Sequence, residues 1–216
     1  MRQLTPDGWR NLLYLFVADE ETMRPVMMKP FEQGGYVCAS DAHVLIRVAK
    51  KYITDDYSTP AKAPDVSRII PAQPPTSKIC ANELRKAFTI LGMDYDTTTI
   101  DCIECDNDCE VEWKYTDRDG DEHTKYAECL CCNGTGRVPN GADKYCEIGS
   151  NLVRAYFMLL LYRAMMELKV EEVKVSAGCN RPLKFNIGDG IDIVVMPCIL
   201  DKYSSKKRAP INMTKL

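Results

Sequence analysis

Six of the eleven cysteines in this 216-residue chain fall within a short stretch: Cys102, Cys105, Cys109, Cys129, Cys131 and Cys132. Cys102/Cys105 and Cys129/Cys132 are C-x2-C pairs separated by 23 residues. Each such knuckle lets two thiolates converge from one tight turn, and two knuckles complete a tetrahedron with Zn–S distances of about 2.3 Å. Cys102, Cys105, Cys129 and Cys132 are therefore the expected ligands of one structural Zn2+, with Cys109, Cys131 and His123 as alternatives in a shifted register. Four protein ligands leave no open coordination position for catalysis. The ion would instead stabilise a segment with too few apolar residues to form its own core.

Other chemistry is sparse. His43 has Asp41 two residues away on an expected strand, which puts both on one face, but no nucleophile stands at a recognised spacing. No phosphate-cradling glycine loop, H-E-x-x-H or nucleophile elbow is present. The expectation is a non-enzyme.

The elements that must position these residues follow from composition and periodicity. With 45% apolar and 27% charged residues the composition is that of a globular protein. The longest apolar run, Ala155 to Tyr162, is closed by Arg154 and Arg163, well short of the roughly 20 residues that span a bilayer. The N-terminus carries no secretory pattern, so a cytoplasmic location and reduced cysteines are expected. The net charge of −3 hides an asymmetry: residues 94–128 hold 13 Asp/Glu against 3 Lys/Arg, leaving +7 elsewhere. The overall acidity is thus no argument against nucleic acid.

Thr5-Pro6 opens a helix whose face is Trp9, Leu12, Leu13, Phe16 and Val17, ending near Ala18. Strands are expected at Arg24–Pro30, Tyr36–Ser40 and Val44–Ala49, with Gly34-Gly35 as a turn. A proline-rich ordered connector follows from Lys51 to Pro75, then a helix with the stripe Leu84, Ala87, Phe88 and Leu91, stopped by Gly92. Residues 94–140 form the acidic cysteine segment, with a hairpin turning at Asp119-Gly120. A strand at Tyr145–Ile148, a long helix capped by Ser150 or Asn151, and strands at Val173–Ser176, Leu183–Ile187 and Ile191–Met196 complete the pattern. The basic stretch from Lys202 to Leu216 shows no core pattern. The fold class is therefore α+β, built from repeated strand–helix–three-strand units.

The second knuckle continues as Cys132-Asn133-Gly134-Thr135-Gly136 and resembles the C-x-x-C-x-G-x-G element of Hsp40-type chaperone zinc regions, which supports a knuckle and not a chaperone function. Five further stretches resemble the bacterial DNA sliding clamp, the beta subunit of DNA polymerase III. Cys38-Ala39-Ser40-Asp41-Ala42-His43-Val44-Leu45 resembles A-T-D-G-H-R-L, and Ala63-Pro64-Asp65-Val66-Ser67-Arg68-Ile69-Ile70-Pro71 resembles the connector F-P-D-Y-R-R-V-[LI]-P. The helix 81–91 falls where a clamp helix stands. Glu147-Ile148-Gly149-Ser150-Asn151 resembles E-I-G-F-N, and Val194-Val195-Met196-Pro197-Cys198-Ile199-Leu200 resembles V-V-M-P-M-R-L. A full clamp chain has three domains of two units each. About three units are countable here, with a zinc-bearing segment the family lacks.

The resemblance implies a clamp-like half unit at 1–62, a clamp-like C-terminal domain at 63–200 interrupted by the zinc insertion 94–140, and a basic tail at 201–216. Alternatively, the units at 1–50 and 142–200 pair and everything between is inserted. It implies a peptide groove of Pro64, Arg68, Ile69, Met196, Pro197, Ile199 and Leu200, more apolar than the family's because Val44 and Ile199 replace arginines. It implies non-specific contact with double-stranded DNA through Arg10, Arg85, Lys86, Arg154 and Arg163, docking of polymerase-like or other client peptides, a homo-oligomer and no membrane. The tail would lie over the groove or a neighbour's. The competing expectation is a protein–protein adaptor that kept the clamp fold without encircling DNA and uses its acidic zinc lobe to bind.

Overall fold

The computed structural model describes residues 2–18, 24–60, 63–199 and 206–216. The Thr5 hydroxyl accepts from the Gly8 amide, and Pro6 opens helix α1 (Pro6–Tyr14). The helix stops before Ala18 because the chain tightens, Leu15 N–H reaching Leu12 and Phe16 N–H reaching Leu13 at 3.3 and 3.0 Å. Arg24–Pro30, expected as a strand, holds a 3-10 turn at Pro25–Met27 instead. Pro25 and Pro30 would each remove a ladder donor. The hairpin comes just after, with β1 (Phe31–Gln33) and β2 (Tyr36–Ser40) joined by Gly34-Gly35 at φ 60° and 81°, which only a primed turn requires. Strand β3 (Val44–Ala49) follows.

After the connector, β4 (Ser77–Cys80) leads into α2 (Ala81–Leu91), which Gly92 ends at φ 62°. The cysteine segment contains β5 (Thr99–Asp101), β6 (Glu110–Thr116), β7 (Glu122–Glu128) and β8 (Arg137–Pro139). The expected hairpin is β6 with β7, and β5 pairs with β8. Next, β9 (Tyr145–Ile148) turns at Gly149 into β10 (Asn151–Arg154), so α3 begins only at Ala155 and runs to Glu167. The expected cap at Ser150 or Asn151 is thus a strand turn. Gly149 at φ 59° reverses the chain there, and β9 captures residues 151–154. Strands β11 (Glu172–Ser176), β12 (Leu183–Gly188) and β13 (Ile191–Val195) agree with expectation, and β14 (Arg208–Pro210) and β15 (Thr214–Lys215) end the chain.

The main sheet has eight strands in the order β1-β2-β3-β13-β12-β11-β4-β15, and β10-β9-β14 form a second. Side chains alternate across the main sheet. One face gives Val37, Ile46, Val175, Phe185 and Ile193 to a core shared with α1, α2 and α3. The other gives Phe31, Cys38, Leu45 and Val194, covered by Val66, Ile69 and Ile70 of the connector. The α+β class is as expected, with three α-helices among the described residues. The cysteine segment contributes a separate cluster, Cys102, Cys105, Cys129 and Cys132 with Val111 and Val138 against them.

The tail corrects the expectation of a coreless segment. Ala209, Ile211 and Met213 recur every second residue, a strand period hidden by the basic run before them. Ala209 and Ile211 are buried in the main core, β14 runs parallel to β9, and β15 pairs with β4. Residues 206–216 therefore close sheet edges and do not lie in the expected groove. Ile211→Asp should place an unpaired carboxylate in this core and cost about 3 kcal/mol or more. Thermal unfolding followed by circular dichroism should register a clear fall in Tm, and an unchanged Tm would remove the tail from the core.

Candidate metal centre and docking cavity

The sulfurs of Cys102, Cys105, Cys129 and Cys132 all lie within 4.8 Å of one another, and all four side chains are buried. Cys102 and Cys129 sulfurs are 3.8 Å apart, and those of Cys105 and Cys132 are 3.7 Å apart. A tetrahedron with metal–sulfur bonds of about 2.3 Å has edges of about 3.8 Å, so the donor set fits Zn2+. The knuckle turns form through Asp108 N–H to the Cys105 carbonyl (2.8 Å) and Thr135 N–H to the Cys132 carbonyl (3.1 Å). Gly136 N–H donates to the Cys132 sulfur at 3.2 Å, as a partner for thiolate charge should. Gly136 sits at φ 71°, and a Cβ there would come within 2.9 Å of the Asn107 carbonyl oxygen. The glycine is therefore required by conformation and by space.

Burial opposes ionisation of Cys102, but N–H groups of Cys105 and Glu104 outweigh it and lower the thiol to about 7. Burial, with the neighbouring Cys102 sulfur, raises Cys105 to about 12, so without a metal the Cys102 thiolate forms before that of Cys105. The alternative ligands stand apart. Cys131 is exposed, the Cys109 sulfur points to the Asn107 carbonyl, and His123 pairs with Asp117 at 2.7 Å and stacks on Tyr115. The lobe is anchored where its two ends meet: the Asn140 side-chain amide donates to the carbonyls of Asp94 and Thr97, and Arg137 pairs with Asp101 at 2.8 Å. Burial also raises the Cys38 and Cys146 thiols to about 12, which leaves them as inert packing groups.

The groove residues divide. Gln33 takes two bonds from the connector, donating to the Pro64 carbonyl (3.0 Å) and accepting from Val66 N–H (2.9 Å). Asp65 accepts from Ser67 N–H and pairs with Arg68 at 3.0 Å. Arg68 and Ile69 then form, with residues 70–73, one wall of an open cavity of about 700 Å³. The facing wall is the end of β11 at Ser176 and the loop that follows it, including Ala177, Arg181 and Pro182. Met196, Pro197 and Ile199 do not line this cavity. They leave β13 beside His43, whose carbonyl accepts from Met196 N–H at 2.8 Å, and return onto β10 through Cys198 N–H to Leu152 O at 2.6 Å. Ile199 is exposed, and Leu200 lies outside the described residues. The β11–β12 loop escaped sequence reasoning because only the fold brings it opposite the connector.

The basic residues sit on or beside the helices, mostly with partners. Arg10 pairs with Asp7 (3.1 Å) and Asp55 (2.8 Å), and Lys86 pairs with Glu83 (2.6 Å). Arg85 donates to the Tyr162 hydroxyl at 2.7 Å, and Arg163 to the Asp96 carbonyl at 3.2 Å. Arg154 is exposed at the end of β10. His43 stacks on Phe157, while Asp41 accepts from the N–H groups of His43 and Val44, both at 2.8 Å, and so caps a turn. No helix among the described residues is long and apolar enough to cross a membrane.

No family model matches the sequence, and no curated protein matches it. Among solved structures, the chain is similar to the DNA polymerase sliding clamp from Bacillus subtilis at 13% identity and TM-score 0.47, over 91% of this chain and 63% of that one. It is also similar to the DNA polymerase III beta subunit from Thermotoga maritima, at 14% identity and TM-score 0.47, over 92% and 65%. A putative DNA polymerase III beta subunit from Eubacterium rectale gives 11% identity and TM-score 0.47, over 92% and 64%. The chain spans less than two thirds of the length of each of these structures. At this identity and degree of superposition the likeness assigns no residue and no partner to the chain.

Proposed function

We propose that the protein is a non-enzymatic, clamp-like replication accessory that docks client peptides between the connector and the β11–β12 loop and carries one structural Zn2+ in its cysteine lobe. The observation that carries this reading is the cavity of about 700 Å³, because the connector residues Arg68 and Ile69 that resemble the clamp's docking element form its wall. A volume of this size with apolar walls and a few polar groups suits a short segment of polypeptide. Domain limits of 1–62 and 63–200, with 94–140 inserted, belong to the same proposal, as do a cytoplasmic location and assembly with further copies. Met196, Pro197, Ile199 and Leu200 would extend the docking surface beyond the cavity.

The proposal includes non-specific contact with double-stranded DNA through Arg10, Arg85, Lys86, Arg154 and Arg163. Its support is that α1, α2 and α3 pack on one face of the sheet. A second reading is favoured by the carboxylates paired with Arg10 and Lys86, which weaken any positive field on that face. It is an adaptor of the same fold that binds proteins and no DNA, with the acidic lobe as part of its surface.

The two readings separate in a salt titration. DNA contact predicts binding of a labelled duplex near 50 mM salt that is largely lost near 200 mM, scaling with the number of phosphates contacted by about 0.9 per phosphate on a log–log plot. Arg154→Glu should weaken it. No binding at low salt would leave the adaptor. For the metal, freshly purified reduced protein should contain close to one zinc per chain by elemental analysis. Cys129→Ser should loosen the lobe in hydrogen exchange while the protection of α2 and α3 persists, and a zinc content near zero would reject the metal centre.

A further inference from the structure

Strand β11 buries a hydroxyl that the rest of the fold leaves unsatisfied. Val173 and Val175 enter the core, so Glu172, Lys174 and Ser176 occupy the opposite face of the strand. Ser176 is only 2% exposed, and its hydroxyl has no hydrogen-bond partner among the described residues. Buried polar groups are normally paired, and one left without a partner destabilises the fold until something enters to satisfy it. Ser176 is among the residues that line the cavity beside the connector, so a ligand seated there reaches the covered hydroxyl by displacing the side chains over it.

The charges around that hydroxyl have one sign. Arg68 and Arg181 stand in the cavity walls, and no Asp or Glu lines it. Lys184 is directly opposite Ser176 in the β11–β12 ladder, with its ammonium donating to the Pro71 carbonyl at 2.9 Å. The nearby carboxylates are engaged elsewhere. Asp65 binds Arg68, and Asp192, on the same face of the sheet, is held by Arg47 at 2.8 Å and by Asn186 at 2.9 Å. Arg181 enters no ion pair among the described residues. The remaining walls are mostly apolar, with Ile69, Ile70, Pro71 and Pro182, and include the amide of Gln73.

A guanidinium and a hydroxyl donor set in an apolar wall suit a carboxylate flanked by apolar groups. We propose that the cavity binds a carboxylate-bearing peptide segment, with the carboxylate held by Arg181 and the Ser176 hydroxyl and its apolar neighbours packed on Ile69 and Ile70. This rests on the docking reading above and specifies the partner's chemistry. A phosphodiester would carry the same sign of charge, but the apolar walls favour a peptide over nucleic acid. The carboxylate comes from an acidic side chain or from a free chain end.

The test is selection on the full-length protein from two display libraries of random twelve-residue peptides, one with blocked ends and one with a free C-terminus. Enriched sequences should place Asp or Glu beside apolar residues, or in the second library end on an apolar residue with its free carboxylate; which library enriches identifies the source. Changing the selected carboxylate to its amide should weaken binding at least tenfold. That difference should shrink to less than threefold in Arg181→Gln and in Ser176→Ala. Ser176→Ala should also keep or raise the melting temperature, because it removes a group with no partner. Enriched apolar peptides with no acidic preference, or an amide that binds equally, would overturn the carboxylate assignment and leave the docking cavity standing. Displacement of a selected peptide by a short single-stranded oligonucleotide would overturn the choice of peptide over nucleic acid. If no peptide is enriched from either library, the docking reading itself falls.

Discussion

The antiparallel pairing of β3 with β13 is the constraint on which the rest depends. It matches Val44–Val48 to Ile191–Val195, residues from opposite ends of the chain. Both strands are fully or largely buried, so a one-residue slip would turn two apolar faces over at once. Arg47 and Asp192 are partners in that ladder and form a largely buried ion pair at 2.6 Å, with the guanidinium over the Tyr36 ring and Asn186 on the remaining carboxylate oxygen. Such a pair adds little net stability over apolar residues, but breaking one side leaves a buried charge, which penalises wrong registers. Closing so long a loop before the contacts form also points to slow, topology-limited folding.

Once that ladder is fixed, the sheet has two covered faces, and they divide the labour. The helical face holds most of the apolar core. The connector face is thinner, a cluster of Phe31, Cys38, Leu45, Val66 and Val194 beneath a proline-rich strap. The strap leaves room at its margin, and the cavity lies there. The cysteine lobe stands outside both layers, tied at Asn140, and its cluster of buried residues is its own cysteines. Were the four cysteines to lose a bound metal, the loop would enlarge while its ends remain held, an entropic change that grows only slowly with loop length.

Features governed by local chemistry were legible in the sequence. The C-x2-C spacing located the sulfur cluster because each knuckle is one turn. Gly92 and the Leu84–Leu91 stripe located α2, and Asp119-Gly120 the β6–β7 hairpin. Features requiring distant residues were not. Residues 151–154 run without a break into the apolar stretch of α3, yet β9 recruits them as a strand. Ser176 reads as an ordinary strand end until the connector covers it. The Arg47–Asp192 pair joins positions with no local signal of one another, and the period-two pattern of Ala209, Ile211 and Met213 acquires meaning only beside β9 and β4.

The main sheet also ends on its two shortest strands, β1 with three residues and β15 with two. Glu32 N–H of β1 is already taken by the Ser58 carbonyl, and Lys215 puts a charged side chain on the other margin. Long unpaired edges act as templates on which other chains add strands, and short charged edges remove that template. The sheet therefore carries within its own layout a protection against fibre-like aggregation, even though six antiparallel strands stand at its centre.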